Sequence, residues 1–166
     1  MTNHNTPVRS LNCKCGKVKL EISVEPIVAT TCTCESCQIA GRKLEALSGA
    51  SAIFDASGGT PYVMFRKDYL KCLSGENLLD EYRLKPTSST RRVVAACCNS
   101  PMFLDFTKGH WVSVYDTRLS ASNTAKSQIK SKEGFFILRL ISTWIMMGFK
   151  TPNISFIRGQ SHVQTA

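Results

Sequence analysis

Three cysteines lie within six residues in the segment Cys32-Thr33-Cys34-Glu35-Ser36-Cys37. A short turn can aim several sulfur atoms at one point, and Zn²⁺ binds thiolates at about 2.3 Å in a tetrahedral arrangement. The C-x-C-x-x-C spacing therefore predicts a metal site with Cys32, Cys34 and Cys37 as ligands. Three ligands leave one position for another residue, water or a substrate, which a catalytic zinc site keeps open and a structural zinc site closes.

Two further cysteine pairs, Cys13/Cys15 and Cys97/Cys98, lie far apart in the chain. Pairs on two separate strand–turn elements can be joined by one zinc ion, which predicts a structural site. Adjacent residues of a strand point to opposite faces, so Cys97 and Cys98 can share a metal only if the chain turns between them. Asn99 and Pro101 favour such a turn; without it, Cys98 joins Cys13 and Cys15 while Cys97 points elsewhere.

The eighth cysteine, Cys72, stands alone within the apolar segment Tyr69-Leu70-Lys71-Cys72-Leu73. A solitary cysteine in an apolar strand usually behaves as a small hydrophobic residue. The alternative is that Cys72 supplies the fourth ligand of the site at Cys32, Cys34 and Cys37. That would close the site and argue against catalysis there.

Length and charge narrow the classes of protein that fit. The 166 residues suit one main domain. The formal net charge is +9, but the basic residues are scattered, so nucleic-acid binding is not favoured. Residues 1–11 lack the apolar core of a secretory signal, and eight cysteines without such a signal favour metal ligation in a reducing compartment, hence a cytoplasmic protein.

Short apolar segments with strand-like alternation follow one another at roughly ten-residue spacing, which predicts a mainly β domain over residues 1–118. Within it, residues 1–10 are expected to be frayed, residues 38–47 to form a short helix or irregular turn, and residues 53–55 to begin a strand. Residues 119–133 are polar and basic and are expected to be a linker. A helix at 134–150 and a tail at 151–166 complete the predicted organisation.

The helical segment 134–149 is apolar on most of its surface, with Arg139, Ser142 and Thr143 forming a narrow polar stripe. Sixteen helical residues extend about 24 Å, which is too short to cross a bilayer. We expect this helix to pack on the β domain or on the second copy in a homodimer. The alternative is a helix lying in the plane of a membrane surface, which the flanking lysines would favour.

Three segments together resemble the glutathione-dependent formaldehyde-activating enzyme / centromere protein V (GFA/CENP-V) family over about residues 11–116. They are Cys13-x-Cys15-Gly16-x-Val18, Cys32-x-Cys34-x-x-Cys37 and the turn Cys98-Asn99-Ser100-Pro101-Met102-Phe103. The family usually ends with C-x-x-C-G, but here Ala95 stands at the first of those cysteines and Asn99 at the glycine. Cys97 is the expected substitute, and the pattern resembles an uncharacterised branch of the family.

The resemblance implies a Mss4-like fold of coiled antiparallel sheets (a β-tent) that holds two zinc ions. It implies a structural zinc on Cys13, Cys15 and Cys98, with Cys97 as the substitute ligand, and a catalytic zinc on Cys32, Cys34 and Cys37. The implied activity is carbon–sulfur lyase chemistry on an adduct of glutathione or another thiol with a small aldehyde, as in S-(hydroxymethyl)glutathione synthase. Basic residues near the cysteines are candidates to bind the glutathione carboxylates: Arg42, Lys43, Arg91 and Arg92. The alternative is a non-catalytic binding module held together by zinc, with helix 134–149 as its contact surface.

Overall fold

The computed structural model describes residues 8–120 and 133–157, apart from the side chains of residues 133 and 134. Most of the predicted linker, at 121–132, and the last part of the predicted tail, at 158–166, therefore lie outside the described residues. Within the described ranges the chain forms the following strands and longer helices: β1 (Arg9–Asn12), β2 (Lys19–Ile22), β3 (Val28–Cys32), α1 (Glu35–Glu45), β4 (Thr60–Arg66), β5 (Leu70–Ser74), β6 (Leu79–Tyr82), β7 (Thr90–Ala95), β8 (Ser100–Phe106), β9 (Trp111–Tyr115) and α2 (Glu133–Met146).

The strands form two antiparallel sheets. The smaller sheet has the order β1-β2-β5, and the larger has the order β3-β4-β9-β8-β7-β6. The prediction of a mainly β protein with a C-terminal helix is confirmed at this level.

Side-chain alternation along the larger sheet explains how it is buried on both faces. Val63 and Phe65 of β4 pack with the small sheet in the main core. Tyr62 and Met64, which alternate with them along the strand, point to the opposite face. On that opposite face Tyr62 packs in the apolar cluster beneath α1, and Met64 packs in the cluster that includes Leu140 of α2.

A network of buried ion pairs links the larger sheet to the C-terminal segment. Asp105 forms ion pairs with Lys67 at 2.6 Å and with Arg91 at 2.8 Å, and Arg91 also pairs with Glu81 at 3.0 Å. The second terminal nitrogen of Arg91 lies 3.5 Å from the carbonyl oxygen of Ile154, whose side chain is buried in the main core. The segment after α2 is thus packed into the β domain.

Three local expectations were wrong. Arg9 and Ser10 are not frayed but begin β1, because Leu11 is fully buried and the strand pairs with β2. Residues 53–55 form no strand, because the backbone N–H groups at Ile53 and Phe54 are donated to a carboxylate oxygen of Glu45 instead of to a neighbouring strand. The first helix begins before residue 38, at residue 35, so its first turn includes a cysteine.

Helix α2 packs on the β domain by one side only. Leu140 is buried with Ile27, Val28 and Met64, and Arg139 donates to the carbonyl oxygen of Ile27 at 3.0 Å. No helix among the described residues is long and apolar enough to cross a membrane.

Candidate metal centres

The sulfur atoms of Cys13, Cys15, Cys97 and Cys98 all lie within 4.8 Å of one another. Cys13 Sγ is 3.6 Å from Cys15 Sγ and 3.8 Å from Cys97 Sγ, and the distance from Cys15 Sγ to Cys97 Sγ is 3.3 Å. A zinc ion with four thiolates at about 2.3 Å requires sulfur–sulfur separations of about 3.8 Å. The four sulfurs therefore already form a cluster of the size that a tetrahedral Cys₄ zinc site needs.

The chain does turn where a shared site for Cys97 and Cys98 requires it. Strand β7 ends at Ala95 and β8 begins at Ser100, and Asn99 between them has a φ of 50° in the left-handed region. On the other side of the cluster, Gly16 has a φ of 77°, which turns the chain between Cys15 and β2. The alternative in which Cys97 points away from the site does not hold.

Hydrogen bonds hold the sulfurs of this first cluster in place. The backbone N–H of Val18 donates to Cys13 Sγ at 3.3 Å, and the hydroxyl oxygen of Ser100 lies 3.1 Å from Cys98 Sγ. Burial disfavours the Cys98 thiolate, but hydrogen bonds from Ser100 and the Cys15 backbone outweigh it and lower the pKa of Cys98 to about 6. Thiolate formation, which metal binding requires, is thus favoured at this position.

Cys32, Cys34 and Cys37 form the second cluster, which we call the cysteine trio. Cys32 is the last residue of β3, Cys34 is the N-cap of α1, and Cys37 lies in the first turn of that helix. Cys32 Sγ and Cys34 Sγ are 3.3 Å apart, and all three sulfurs lie within 4.8 Å of one another. A strand end and a helix start, rather than a loop alone, therefore position the trio.

The surroundings of the trio favour negative charge. The helix N-terminus presents the positive end of its dipole to the sulfurs. Hydrogen bonds from Cys32 and then Tyr62 are the main interactions that lower the pKa of Cys37 to about 5, and the nearby Arg92 charge adds to them. The same bond to Cys37, together with burial, raises the pKa of Cys32.

Arg92 is the charged side chain beneath the trio. It is 2% exposed and donates to the carbonyl oxygen of Ser36, in the first turn of α1, at 3.1 Å. The hydroxyl of Tyr62 lies 3.7 Å from Cys37 Sγ, and the Tyr62 ring packs on that of Tyr115 with centroids 5.0 Å apart. Sequence reasoning missed this support; the one available signal was the pair of arginines that precedes the apolar residues of β7.

Cys72 does not belong to the trio. It lies in β5, opposite Leu20 of β2, and packs against the main core between the sheets. In the described part of the chain, no other cysteine, histidine, aspartate or glutamate joins the three sulfurs of the trio. The packing agrees with the interpretation of Cys72 as a small hydrophobic residue.

The four basic residues near the cysteines have different environments. Arg91 and Arg92 are buried and engaged with protein partners, so they are not placed to receive a substrate carboxylate. Arg42 is exposed on α1, and Lys43 lines a cavity of about 220 Å³ between α1, β6 and the turn at Asn99. None of the cysteines lines this cavity.

The donor sets suit zinc. Both clusters consist only of cysteine sulfurs, which are soft ligands, and the first has the number and spacing of a tetrahedral site. Cys13, Cys15, Cys97 and Cys98 would hold one ion, and Cys32, Cys34 and Cys37 a second. Metal binding at two cysteine clusters is thus compatible with the predicted zinc cofactor.

Comparisons with known proteins give a family and a fold. A family model described as "Family of unknown function (DUF6151)" matches residues 5–130. No curated protein matches the chain. Among solved structures, a crystal structure of a Rhodobacter sphaeroides protein is similar, with 17% identity and a TM-score of 0.50 over 73% of this chain and 96% of that chain. At this identity the likeness concerns the fold alone, whereas the family match covers most of the sequence: the chain belongs to DUF6151, a family of unknown function.

Proposed function

We propose that this protein is a two-zinc enzyme of the GFA/CENP-V type, with a Mss4-like fold, that makes or breaks the carbon–sulfur bond between a thiol and a small aldehyde. Glutathione is the proposed thiol. The zinc at Cys13, Cys15, Cys97 and Cys98 is structural, and the zinc at the trio is catalytic. Two antiparallel sheets and two cysteine clusters support this assignment, together with the three sequence segments that resemble that family.

The observation that carries the proposal is the difference between the two clusters. The first offers four sulfurs, and the second offers three, with no fourth ligand among residues 8–120 and 133–157. Cys34 of the trio is exposed, so water or a substrate thiol could reach a metal ion held by the trio. A catalytic zinc site has this composition of three protein ligands and one exchangeable position.

The proposed reaction adds a thiol to an aldehyde. The sulfur electron pair forms the new C–S bond, the carbonyl π bond breaks towards oxygen, and the thiol proton ends on that oxygen as a hydroxyl. Zinc bound at the trio would supply acidification of the substrate thiol. The chain's contribution is to hold the site: Arg92 fixes the first turn of α1 and offsets the negative charge of the three thiolates.

Helix α1 also carries a candidate partner for a glutathione carboxylate. Lys43 is six residues after Cys37, which is about 9 Å along the helix axis and about 120° around it. Its side chain lines the cavity beside α1, and its ammonium group would pair with a carboxylate there.

Zinc X-ray absorption spectroscopy tests the open position. Added glutathione should bind through sulfur and change the spectrum of the zinc-loaded protein, and Cys34→Ser should abolish the change. Nuclear magnetic resonance exchange measurements should show faster formation and breakdown of the glutathione–formaldehyde adduct with the wild-type protein. Cys72→Ser is the matched control, because this cysteine is remote from the trio, and it should behave as the wild type in both assays.

Two results would overturn the enzyme assignment. One is a spectrum with four protein sulfurs at both zinc ions that does not respond to glutathione. The other is an adduct exchange rate in the presence of wild-type protein that equals the uncatalysed rate. Either leaves the second candidate, a non-catalytic zinc-containing binding module, which is favoured by the apolar surface that α2 exposes.

A further inference from the structure

Helix α2 carries an apolar surface that the β domain does not cover. Leu140 and Met147 are buried, but Ile137, Ile141 and Ile145 form a row at i, i+4 and i+8 that is 61%, 46% and 54% exposed. Leu138, Met146 and Phe149 are exposed beside this row, and Trp144 lies at its border with the domain. The helix thus has two apolar sides, of which only one is used within the described structure.

The hydroxyl groups of α2 are bonded within the helix, and its arginine bonds to the domain. The hydroxyls of Ser142 and Thr143 both donate to the carbonyl oxygen of Arg139, at 3.0 Å and 2.8 Å. The Arg139 guanidinium donates back to the domain, at the carbonyl oxygen of Ile27. Transfer of the exposed side of α2 to an apolar medium would therefore leave few hydrogen bonds unmade.

Positive charge flanks this helix in the sequence. Residues 121–166 contain six lysine or arginine residues and a single acidic residue, Glu133, so they supply five of the nine net positive charges. Three of these lysines precede the helix in the sequence, at 126, 130 and 132, and Lys150 follows it. Lys108 also lines an apolar groove of about 300 Å³ between α2 and the β8–β9 turn.

We propose that α2 docks the protein on an anionic phospholipid surface, lying in the membrane plane with the Ile137–Ile141–Ile145 row in the acyl boundary. Apolar burial and attraction to anionic headgroups act together in such helices. A tryptophan at the border of the apolar row is typical of a membrane–water interface. A second copy of this chain is the less suitable partner, because it would bring two regions of like charge together. This surface lies beside the side of α2 that packs on the β domain, with Ile137 and Ile141 at the groove next to the β8–β9 turn. It does not depend on the proposed lyase activity.

Vesicle flotation of the full-length protein tests the proposal. We expect binding to vesicles of phosphatidylcholine with phosphatidylserine, weaker binding to phosphatidylcholine alone, and loss of the difference at high salt. Ile141→Glu combined with Ile145→Glu should lower the partition coefficient at least about tenfold with an unchanged melting temperature, because both side chains are exposed. Leu73→Glu, an equally exposed change on β5, is the matched control and should bind as the wild type.

Three results would overturn the proposal: no flotation of the wild type, equal flotation of the double variant, or equal binding to neutral and anionic vesicles. Light scattering without vesicles identifies the competing occupant. If the wild type is a dimer that does not bind lipid, and the double variant is a monomer, the row is an interface with a second copy. A variant that loses the proposed lyase activity should still float with anionic vesicles. Failure of one proposal can therefore be distinguished from failure of the other.

Discussion

Arg92 shows how a single residue can control the cysteine trio without contacting a metal. Its guanidinium is buried beneath the first turn of α1 and donates to Ser36 between two of the ligands. Groups that orient metal ligands in this way commonly change metal affinity about 10- to 100-fold when they are removed. The position of Arg92 therefore predicts a measurable effect on the trio alone.

We expect Arg92→Met, which keeps the length of the side chain but removes its charge and donors, to weaken zinc binding at the trio about 10- to 100-fold. Titration with a chromophoric chelator would measure this, with circular dichroism to verify the fold. Arg42→Met is the matched control, since Arg42 is exposed on the same helix. Equal affinities in the two variants would contradict a supporting role for Arg92.

At the scale of elements, His110 is central to the attachment of α2. The imidazole is buried, and its ring is parallel to that of Trp144 at a centroid distance of 6.0 Å. Burial lowers the pKa of His110, and the charges of Lys67 and Arg66 lower it further against the opposing effects of the Leu140 backbone and Asp68. The neutral form is thus favoured when α2 is docked.

The lowered pKa of His110 predicts a pH dependence of stability. The unfolded chain binds a proton at His110 near the ordinary pKa of about 6.5, whereas the folded chain binds it only at lower pH. The free energy of unfolding should therefore have its full value above about pH 6.5 and should decrease as the pH falls below that value. In His110→Gln the melting temperature should fall less between about pH 8 and pH 5 than it does in the wild type. Thermal denaturation measures this. Identical pH profiles for the two proteins would contradict the assignment.

The segment after α2 makes a second connection to the main core. Ile154 and Ile157 are buried there, where only a tail was predicted. Ile154→Ala should lower the free energy of unfolding by about 2–5 kcal/mol, as large-to-small changes in cores do. Met146→Ala, at a position that is 82% exposed, should change it by less than about 0.5 kcal/mol. Equal values from urea denaturation would show that the segment is not part of the core.

The elements that local patterns define could be predicted, and the contacts between distant elements could not. Short strand-like segments at roughly ten-residue spacing were sufficient for a mainly β fold, and the cysteine spacing was sufficient for both clusters. The separation of Cys72 from the trio depends on the strand register opposite Leu20, which no local pattern contains. The burial of Arg92 and Ile154 likewise depends on which elements cover them. The start of α1 was missed because its N-cap is a cysteine without the usual side-chain cap.

At the scale of the whole molecule, the two clusters have different mechanical roles. The first connects the β1–β2 turn to the β7–β8 turn, and hence the smaller sheet to the larger one. The trio connects only the end of β3 to the start of the next element, α1. Loss of metal from the trio would therefore leave this link between the two sheets in place, whereas loss from the first cluster would remove it and leave only the apolar core between them.

The proposed structural and catalytic sites require two zinc ions per chain, one at each cluster. The most direct test is the ratio of zinc to protein in the purified full-length chain and in two single variants, measured by elemental analysis with the folded state verified by circular dichroism. We predict two zinc ions in the wild type, one in a folded Cys34→Ser variant and two in Cys72→Ser. A wild-type protein with fewer than two zinc ions, or a Cys34→Ser variant that keeps both, would contradict the account.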